Sequence, residues 1–333
     1  MDLAHRPADL TQLAAQLAHD MPDHPSLFCP FTSSISPHAD TVQTSTTTWA
    51  QQFGLLTSAA AVERFTRRQY GILIGRAYPT ADLDTLTLIS DWNTWLFALD
   101  DQCDEDALGR DLMAMTALHK RILAILHGAM PNRSDARHLH ALYNLVLRFR
   151  VLQPEPWLHR LIRHVDAYFL ANQWEAHNRI EGLVPSEANY LAYRPYTGAV
   201  YCYITLIELA QHIMLPDTVV ADSAVHRLAE LTNQVICWSN DIISLQKELA
   251  GGDFHNLVYV LYQGYGCSIE DAINEVAQRH DAAVAEFIAI REQCTSPLYD
   301  DMAIQYYFDN MQAWMRANLD WSAATSRYRP REI

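Results

Sequence analysis

Glycine is scarce in this sequence, with 11 residues among 333. Alternating β-branched patterns, which would indicate strands, are also scarce, whereas Ala, Leu, Glu and Gln are plentiful and favour helices. Half of the residues are hydrophobic, which suffices for a large core. We therefore predict an all-α protein.

Linkers, repeats and low-complexity tracts are absent from the sequence as well. The length alone would allow two domains, but no shift in composition marks a boundary between them. We predict one helical domain over residues 1–333, with flexibility confined to roughly the first 25 residues and the last few.

Close cysteine and histidine spacings are missing. The six cysteines include no CxxC pair, and the fifteen histidines form no HExxH or other ligand pattern. This excludes the usual zinc sites. We predict reduced, mostly buried thiols at Cys29, Cys103, Cys202, Cys237, Cys267 and Cys294.

Targeting and membrane-spanning patterns are not evident either. Met1–Arg6 lacks a basic region followed by an apolar one. The longest charge-free stretch, residues 41–62, is too rich in Thr, Ser and Gln to span a bilayer. We expect a cytoplasmic protein without membrane insertion.

Positive charge is in short supply. The chain has 24 Lys and Arg against 39 Asp and Glu, a formal net charge of −15, which argues against nucleic acid or an anionic membrane as a partner. The same charge would repel a phosphorylated substrate unless the carboxylates first bind Mg2+, whose charge then attracts the phosphates.

Prolines and apolar spacing indicate where the helices lie. The prolines between Pro22 and Pro37 exclude a continuous helix there, and Ser36–Asp40 is typical of a helix start. Apolar residues at helical spacing predict helices over residues 10–18, 41–53, 58–76, 106–127, 134–150 and 156–180.

What the sequence does contain is an apolar, aromatic run, Trp95–Glu105, that ends abruptly in acidic residues. On a helix, Leu96, Asp100 and Asp104 share one face, so an apolar lining passes directly into paired carboxylates. Such oxygens suit Mg2+, which usually shares a bound phosphate. Alone, the run is equally consistent with a solvated helix end.

A second polar pattern lies far downstream, in Val235–Glu248. Asn240, Ser244 and Glu248 recur at four-residue steps, so on a helix their oxygens share one face and are able to chelate one Mg2+. The alternative is the polar stripe of an amphipathic helix. The presence of both patterns in one chain favours a metal site over either structural alternative.

Together these patterns resemble the two metal motifs of the class I terpene synthases (terpene cyclases) of the bacterial type. Asp100–Asp104 matches the DDxx(D/E) motif of that family, and Asn240–Glu248 matches its NDxxSxxxE motif completely. The family's C-terminal Arg-Tyr pair stands here as Arg327-Tyr328, and the resemblance covers about residues 28–328. It implies the family's fold, an antiparallel helical bundle around a central apolar cavity.

The resemblance also implies the metal ligands. Three Mg2+ ions would be held on one side by Asp100, with Asp101 and Asp104 in support, and on the other side by Asn240, Ser244 and Glu248.

Diphosphate-binding residues follow from the same resemblance. Arg194 would be the diphosphate sensor, Thr197 the linker and Gly198 the backbone effector that faces the breaking bond. Thr197 stands at a position where the family also often has Asp. The remaining contacts would be charge-assisted hydrogen bonds from Lys247, Arg327 and Tyr328.

The chemistry implied by the family requires an aromatic wall. Diphosphate leaves only when its developing charge is neutralised, and its departure creates an allylic carbocation that must be shielded from water. Our candidates for the wall are Phe97, Tyr201, Trp314 and Trp321. The pair Asp300–Asp301 lacks the third acid of a DDxxD motif, so we predict a structural role for it.

We therefore predict an enzyme, a Mg2+-dependent terpene cyclase that acts on a prenyl diphosphate, as a monomer or a homodimer. Farnesyl diphosphate, with fifteen carbons, is the favoured substrate, partly because the bacterial cyclases that the chain resembles more often take fifteen carbons and partly because bulky residues such as Trp95 and Trp314 would shorten the cavity. The product would be a sesquiterpene hydrocarbon or alcohol, formed with release of diphosphate.

Three alternatives remain open at this point. Geranylgeranyl diphosphate, with twenty carbons, would fit if the small residues Gly198, Ala199 and Cys202 open the cavity floor. A chain-elongating prenyltransferase would carry a second aspartate-rich motif at the downstream position. A noncatalytic helical scaffold would need neither metal motif.

Overall fold

Helices dominate the computed structural model, which describes residues 10–20, 22, 24–105 and 107–328; within these ranges the side chains of residues 11, 18, 20, 102–105 and 107 are not described. The first half contains α1 (Leu10–Asp20), α2 (Ala39–Gln52), α3 (Ala59–Arg68), α4 (Tyr70–Ala77), α5 (Leu83–Glu105), α6 (Leu112–Leu126), α7 (Arg137–Leu152) and α8 (Glu155–Glu181). The second half contains α9 (Glu187–Thr197), α10 (Val200–Ala210), α11 (Asp217–Val220), α12 (Ser223–Ala250), α13 (Leu257–Tyr265), α14 (Ile269–Gln293) and α15 (Met302–Ala324). The predicted all-α class is confirmed.

The predicted helix over residues 58–76 is wrong in one respect, because it is two helices. Ser58 caps α3 by accepting a hydrogen bond from the Ala61 amide, but the chain then turns at Gln69, whose φ of 55° is left-handed. No glycine or proline marks this turn. Its cause is tertiary, since the Arg68 carbonyl at the end of α3 accepts hydrogen bonds from residues near the C terminus.

The start of the helix predicted over residues 106–127 is also wrong. A 3-10 turn, Ala107–Arg110, comes first, and α6 begins only after Asp111, which accepts a hydrogen bond from the Ala114 amide. An aspartate at this position satisfies an amide that the first helical turn leaves unpaired. The predicted helix start at Ser36–Asp40 agrees with α2, which begins at Ala39.

The central helix α5 is buried on two sides. Trp92 and Trp95 are fully buried on the side of α7, where the Trp95 indole donates to the His138 carbonyl. Trp95 therefore packs in the core behind α5, which corrects our expectation that it shortens the cavity. The other faces of α5 pack against α2, α4 and α10.

The helices α4, α10 and α15 connect α5 with α12. The helix α10 contacts both α5 and α12, and α15 contacts α4, α10 and α12. The two helices that carry the metal motifs thus form two walls of one bundle. Among the helices of the described residues, none combines the length and apolar character needed to cross a bilayer.

Two smaller expectations agree with the structure. The five described cysteines are free, and Cys202, Cys237 and Cys294 are buried, while the side chain of Cys103 lies outside the described ones. Asp301 caps α15 by accepting a hydrogen bond from the Ala303 amide. Asp301 thus has the structural role that we predicted for the Asp300–Asp301 pair.

Candidate active site

The downstream motif forms a polar stripe on α12, as its spacing predicted. Ser244 Oγ donates to the Asn240 carbonyl over 2.7 Å, so the hydroxyl oxygen keeps its lone pairs for another partner. One Glu248 oxygen accepts a hydrogen bond of 2.8 Å from Asn256. Amide, hydroxyl and carboxylate oxygens therefore follow one another on one face of this helix.

The electrostatics of this stripe favour a bound cation. Burial, together with the charge of nearby Asp241, raises the pKa of Glu248 to about 7. A cation beside Glu248 would offset both effects and stabilise the ionised carboxylate. The residues present thus fit Mg2+, which prefers oxygen ligands and usually binds them together with substrate phosphates.

Among the described side chains, no three His, Cys, Asp or Glu residues lie close enough together to bind a metal ion without other ligands. The ligand set at α12 differs from such a site, since it includes an amide and a hydroxyl. Sites in which Mg2+ is bound by few carboxylates and by substrate phosphates do not require such a gathering.

The acidic motif lies at the end of α5. Tyr168 on α8 donates to Asp100 over 3.0 Å, and Asp101 accepts hydrogen bonds from Arg68 at 2.5 Å and from Arg327 at 3.0 Å. The backbone of Asp104 belongs to α5, but the side chain of this predicted ligand lies outside the described ones.

The two neighbouring aspartates differ in their pKa. Burial raises the pKa of Asp100, and the charge of Arg327 offsets this rise only in part. Burial acts on the pKa of Asp101 in the same direction, but Arg327 and Arg68 outweigh it and lower the pKa to about 2. The protein's own cations thus stabilise the ionised form of Asp101 but not fully that of Asp100. A bound metal ion would stabilise ionised Asp100, which suits its predicted role as the principal metal ligand on α5.

The C-terminal Arg-Tyr pair joins the two walls. Arg327 contacts Asp100 at 3.4 Å and Asp101 at 3.0 Å, while the Tyr328 hydroxyl accepts a hydrogen bond of 2.9 Å from Asn240 on α12. The charge of Lys247 lowers the pKa of both aspartates, which places this cation near them. Both metal motifs and three predicted diphosphate-binding residues therefore surround one site.

Arg194, the predicted diphosphate sensor, is anchored to α12. Its guanidinium lies 2.6 Å from Asp241 and donates to the Asn240 side chain over 3.0 Å. Asp241 is fully buried and also accepts hydrogen bonds from the Tyr190 hydroxyl and the Leu257 amide. Sequence reasoning did not assign Asp241 a role, although it is the second residue of the downstream motif.

Gly198 lies where α9 ends and α10 begins. A Cβ atom at this position would stand 2.6 Å from Cys237 Sγ, a distance that real Cβ atoms do not reach. The next residue, Ala199, has a left-handed φ of 54°, and the Thr197 hydroxyl contacts the Arg194 guanidinium at 3.3 Å. Only glycine therefore allows the α9–α10 break to pass so close to α12.

Aromatic rings line the α5 side of the site. Phe97 stacks on Tyr70 with ring centroids 4.4 Å apart, and the Arg327 guanidinium lies 4.6 Å from the centre of the Phe97 ring. Trp321 is buried beside both rings, and its indole donates to the Arg68 carbonyl over 2.8 Å. Arg68 and Tyr70 carried no signal that sequence reasoning detected.

A second aromatic group lies deeper in the bundle. Trp314 is buried against Tyr203, with ring centroids 4.8 Å apart, and the Tyr203 hydroxyl donates to Asn93 on α5. Asn93 precedes Asp100 by seven residues, so it shares the face of α5 that carries the metal ligand. The ring contacts of the predicted wall residue Tyr201 are instead with Tyr196 and His164. Tyr203, two residues further along, is the tyrosine that joins this group.

The chain is similar to known proteins over most of its length. Residues 91–286 match the family model described as terpene synthase family 2, C-terminal metal binding. The chain is 44% identical to a (+)-T-muurolol synthase, described as farnesyl diphosphate cyclizing, from Roseiflexus castenholzii, over 91% of this chain and 93% of that one. It is 34% identical to a germacrene A synthase from Nostoc punctiforme, over 91% and 94% of the two chains. Among solved structures, germacradien-4-ol synthase from Streptomyces citricolor superposes with a TM-score of 0.81 at 25% identity, covering 92% of this chain and 100% of that one.

Proposed function

Because the chain belongs to the class I terpene synthases, we propose that it is a Mg2+-dependent cyclase of farnesyl diphosphate that releases diphosphate. The observation that carries this proposal is the pair of oxygen-rich walls on α5 and α12, joined by Arg327 and Tyr328. The 44% identity to a farnesyl diphosphate cyclizing synthase supports the choice of substrate.

The proposed metal ligands are those that the motifs predicted. Asp100, supported by Asp101 and Asp104, would hold Mg2+ on one wall, and Asn240, Ser244 and Glu248 would hold it on the other. Three Mg2+ ions per active site remain our expectation. When bound, the metal supplies positive charge that stabilises the departing diphosphate.

The cationic side chains of the site bind and orient the same leaving group. Arg194 is fixed by Asp241, which holds its guanidinium at the α12 wall beside the proposed ligand Asn240. Arg327 and Lys247 add positive charge near Asp100 and Asp101. The hydroxyl of Tyr328 would donate a hydrogen bond to the diphosphate. Such preorganised donors favour breaking of the carbon–oxygen bond because they interact most strongly with the charge that develops on the diphosphate.

The aromatic groups shield the carbocation that remains. Phe97 and Trp321 lie next to the acidic motif. Trp314 lies about two helical turns deeper along α15, where it packs against Tyr203 of α10. Aromatic faces stabilise a cation without offering a nucleophile. The proposed substrate would place its diphosphate at the metal motifs and its isoprenoid chain along these rings.

The large rings at the deeper end of this region support fifteen carbons rather than twenty. We left open that Gly198, Ala199 and Cys202 enlarge the floor, but the space beside Gly198 is filled by Cys237 Sγ, and Ala199 and Cys202 are buried. Trp314 and Tyr203 fill the deeper end with two large rings. These contacts favour the shorter substrate.

Steady-state kinetics with the ten-, fifteen- and twenty-carbon diphosphates tests the proposal. Products are identified by gas chromatography with mass detection, and released diphosphate is measured with and without Mg2+. We expect a cyclised C15 product, the highest kcat/KM for farnesyl diphosphate, and no turnover after removal of Mg2+ with a chelator. A higher kcat/KM for geranylgeranyl diphosphate would refute the substrate assignment, and turnover without a divalent metal would refute the mechanism.

A further inference from the structure

The turn between α3 and α4 contacts both the acidic motif and the C-terminal segment. The Arg68 guanidinium lies 2.5 Å from Asp101. The carbonyl of the same residue accepts hydrogen bonds of 2.8 Å from the Trp321 indole and from the Thr325 hydroxyl. One residue thus holds two parts of the site that are distant in sequence.

The segment held at this turn is the one that carries Arg327. The Ser326 amide donates to the Arg67 carbonyl over 3.3 Å, and the Arg327 amide donates to the Thr325 hydroxyl. Thr325 and Ser326, the two residues before Arg327, are therefore both hydrogen-bonded to the end of α3. This attachment fixes where the Arg327 side chain begins.

The Arg327 guanidinium is held through the same partners that Arg68 contacts. Asp101 accepts from Arg68 through one oxygen and from Arg327 through the other. The Tyr70 hydroxyl lies 3.3 Å from the Arg68 guanidinium and 2.7 Å from that of Arg327. With Asp101 fixed by Arg68, Arg327 has a defined acceptor at the edge of the site.

We propose that Arg68 is a positioning residue of the reaction, which sets Arg327 at the diphosphate subsite by holding Asp101 and the C-terminal segment together. The inference rests on the proposed role of Arg327 in binding diphosphate. Outer partners that orient the residues of a metal site affect its function strongly although they do not touch the substrate.

A double-mutant cycle on the full-length protein tests the inference. The binding of inorganic diphosphate in saturating Mg2+ is measured by titration calorimetry for Arg68→Gln, Arg327→Gln and the double variant. Arg67→Gln is the matched control, because its exposed side chain lies on the same turn and the substitution keeps its carbonyl. The unfolding temperature of each variant reports on folding, and Arg68→Lys serves if the glutamine variant does not fold.

We expect Arg68→Gln and Arg327→Gln each to weaken diphosphate binding about 10- to 100-fold, and the double variant to bind no more weakly than Arg327→Gln alone. Arg68→Lys should restore part of the loss, and Arg67→Gln should bind normally. Additive losses in the double variant, or a lowered unfolding temperature with normal diphosphate binding, would overturn the positioning role. Normal binding by Arg327→Gln would instead refute the assignment of Arg327 within the proposed function.

Discussion

At the residue scale, the stripe on α12 has two kinds of member. Asn240 and Glu248 present oxygens to the site, whereas Asp241 turns away from it and holds Arg194 from a fully buried position. Both neighbours contact Arg194, but Asn240 also donates to Tyr328 whereas Asp241 accepts from the buried Tyr190, because successive side chains on a helix point in different directions.

Removal of a proposed ligand should abolish catalysis without unfolding the protein. We predict that Asn240→Ala and Glu248→Ala each lose turnover of farnesyl diphosphate by at least about 100-fold, since outer-shell losses alone reach that size. Circular dichroism should show unchanged helix content. Glu230→Ala is the control, because this partly exposed acid lies on the same helix and pairs with Arg227. Near-normal activity in both ligand variants would exclude the proposed metal site.

Arg194 has a structural partner as well as a proposed catalytic role, so its loss should affect both stability and turnover. Arg194→Ala leaves the buried Asp241 carboxylate without its cation, which typically costs about 3–5 kcal/mol of stability, and it also removes the sensor. We predict that adding Asp241→Asn recovers much of the stability, measured by denaturant unfolding, but none of the turnover. Recovery of turnover in the double variant would show that Arg194 serves the fold alone.

At the element scale, the helices were predictable where their signals are local. The start of α2 and the polar face of α12 follow from capping and spacing. The break at Gln69 could not be predicted from local sequence. The residues that donate to the Arg68 carbonyl at this break, Trp321 and Thr325, lie more than 250 residues away in sequence. For the same reason the motifs located Asp100, Asn240 and Arg327, but not the residues that hold them in place.

The junction of α9 and α10 depends on close packing against α12. We predict that Gly198→Ala lowers turnover and stability, because its Cβ would collide with Cys237 Sγ, and overpacking of this kind typically costs about 1–3 kcal/mol. Cys237→Ala removes the colliding atom. The combined variant should therefore be more stable and more active than Gly198→Ala alone.

Unfolding temperature and initial rate measured on the three variants test this pairing. Cys237→Ala by itself supplies the reference for the double variant, since it creates a small cavity of its own. Equal defects in Gly198→Ala with and without Cys237→Ala would mean that the glycine is required for another reason.

At the scale of the whole molecule, the site is assembled from parts that meet only in the folded chain. The helices α5 and α12 supply the two walls, and the C-terminal segment spans them through Arg327 and Tyr328. A ligand that binds both walls therefore interacts with the native state far more strongly than with the unfolded chain.

Binding at such a site should stabilise the protein against heat. A ligand at about 100 times its Kd adds about 2.7 kcal/mol to the free energy of unfolding, which corresponds to a rise of a few degrees in Tm. We predict this rise for Mg2+ together with inorganic diphosphate. Either component alone should produce a smaller shift, because the acidic walls repel diphosphate without metal, and metal without diphosphate lacks the phosphate oxygens that complete its coordination.

Differential scanning calorimetry of the wild-type protein and of Asn240→Ala provides the measurement. The variant keeps the fold but lacks a ligand on α12, so its Tm should respond weakly to the combined ligands, while Glu230→Ala should respond as the wild type does. If Asn240→Ala were stabilised as much as the wild type, diphosphate and Mg2+ would be binding elsewhere on the protein. In that case the two walls would not act as one site.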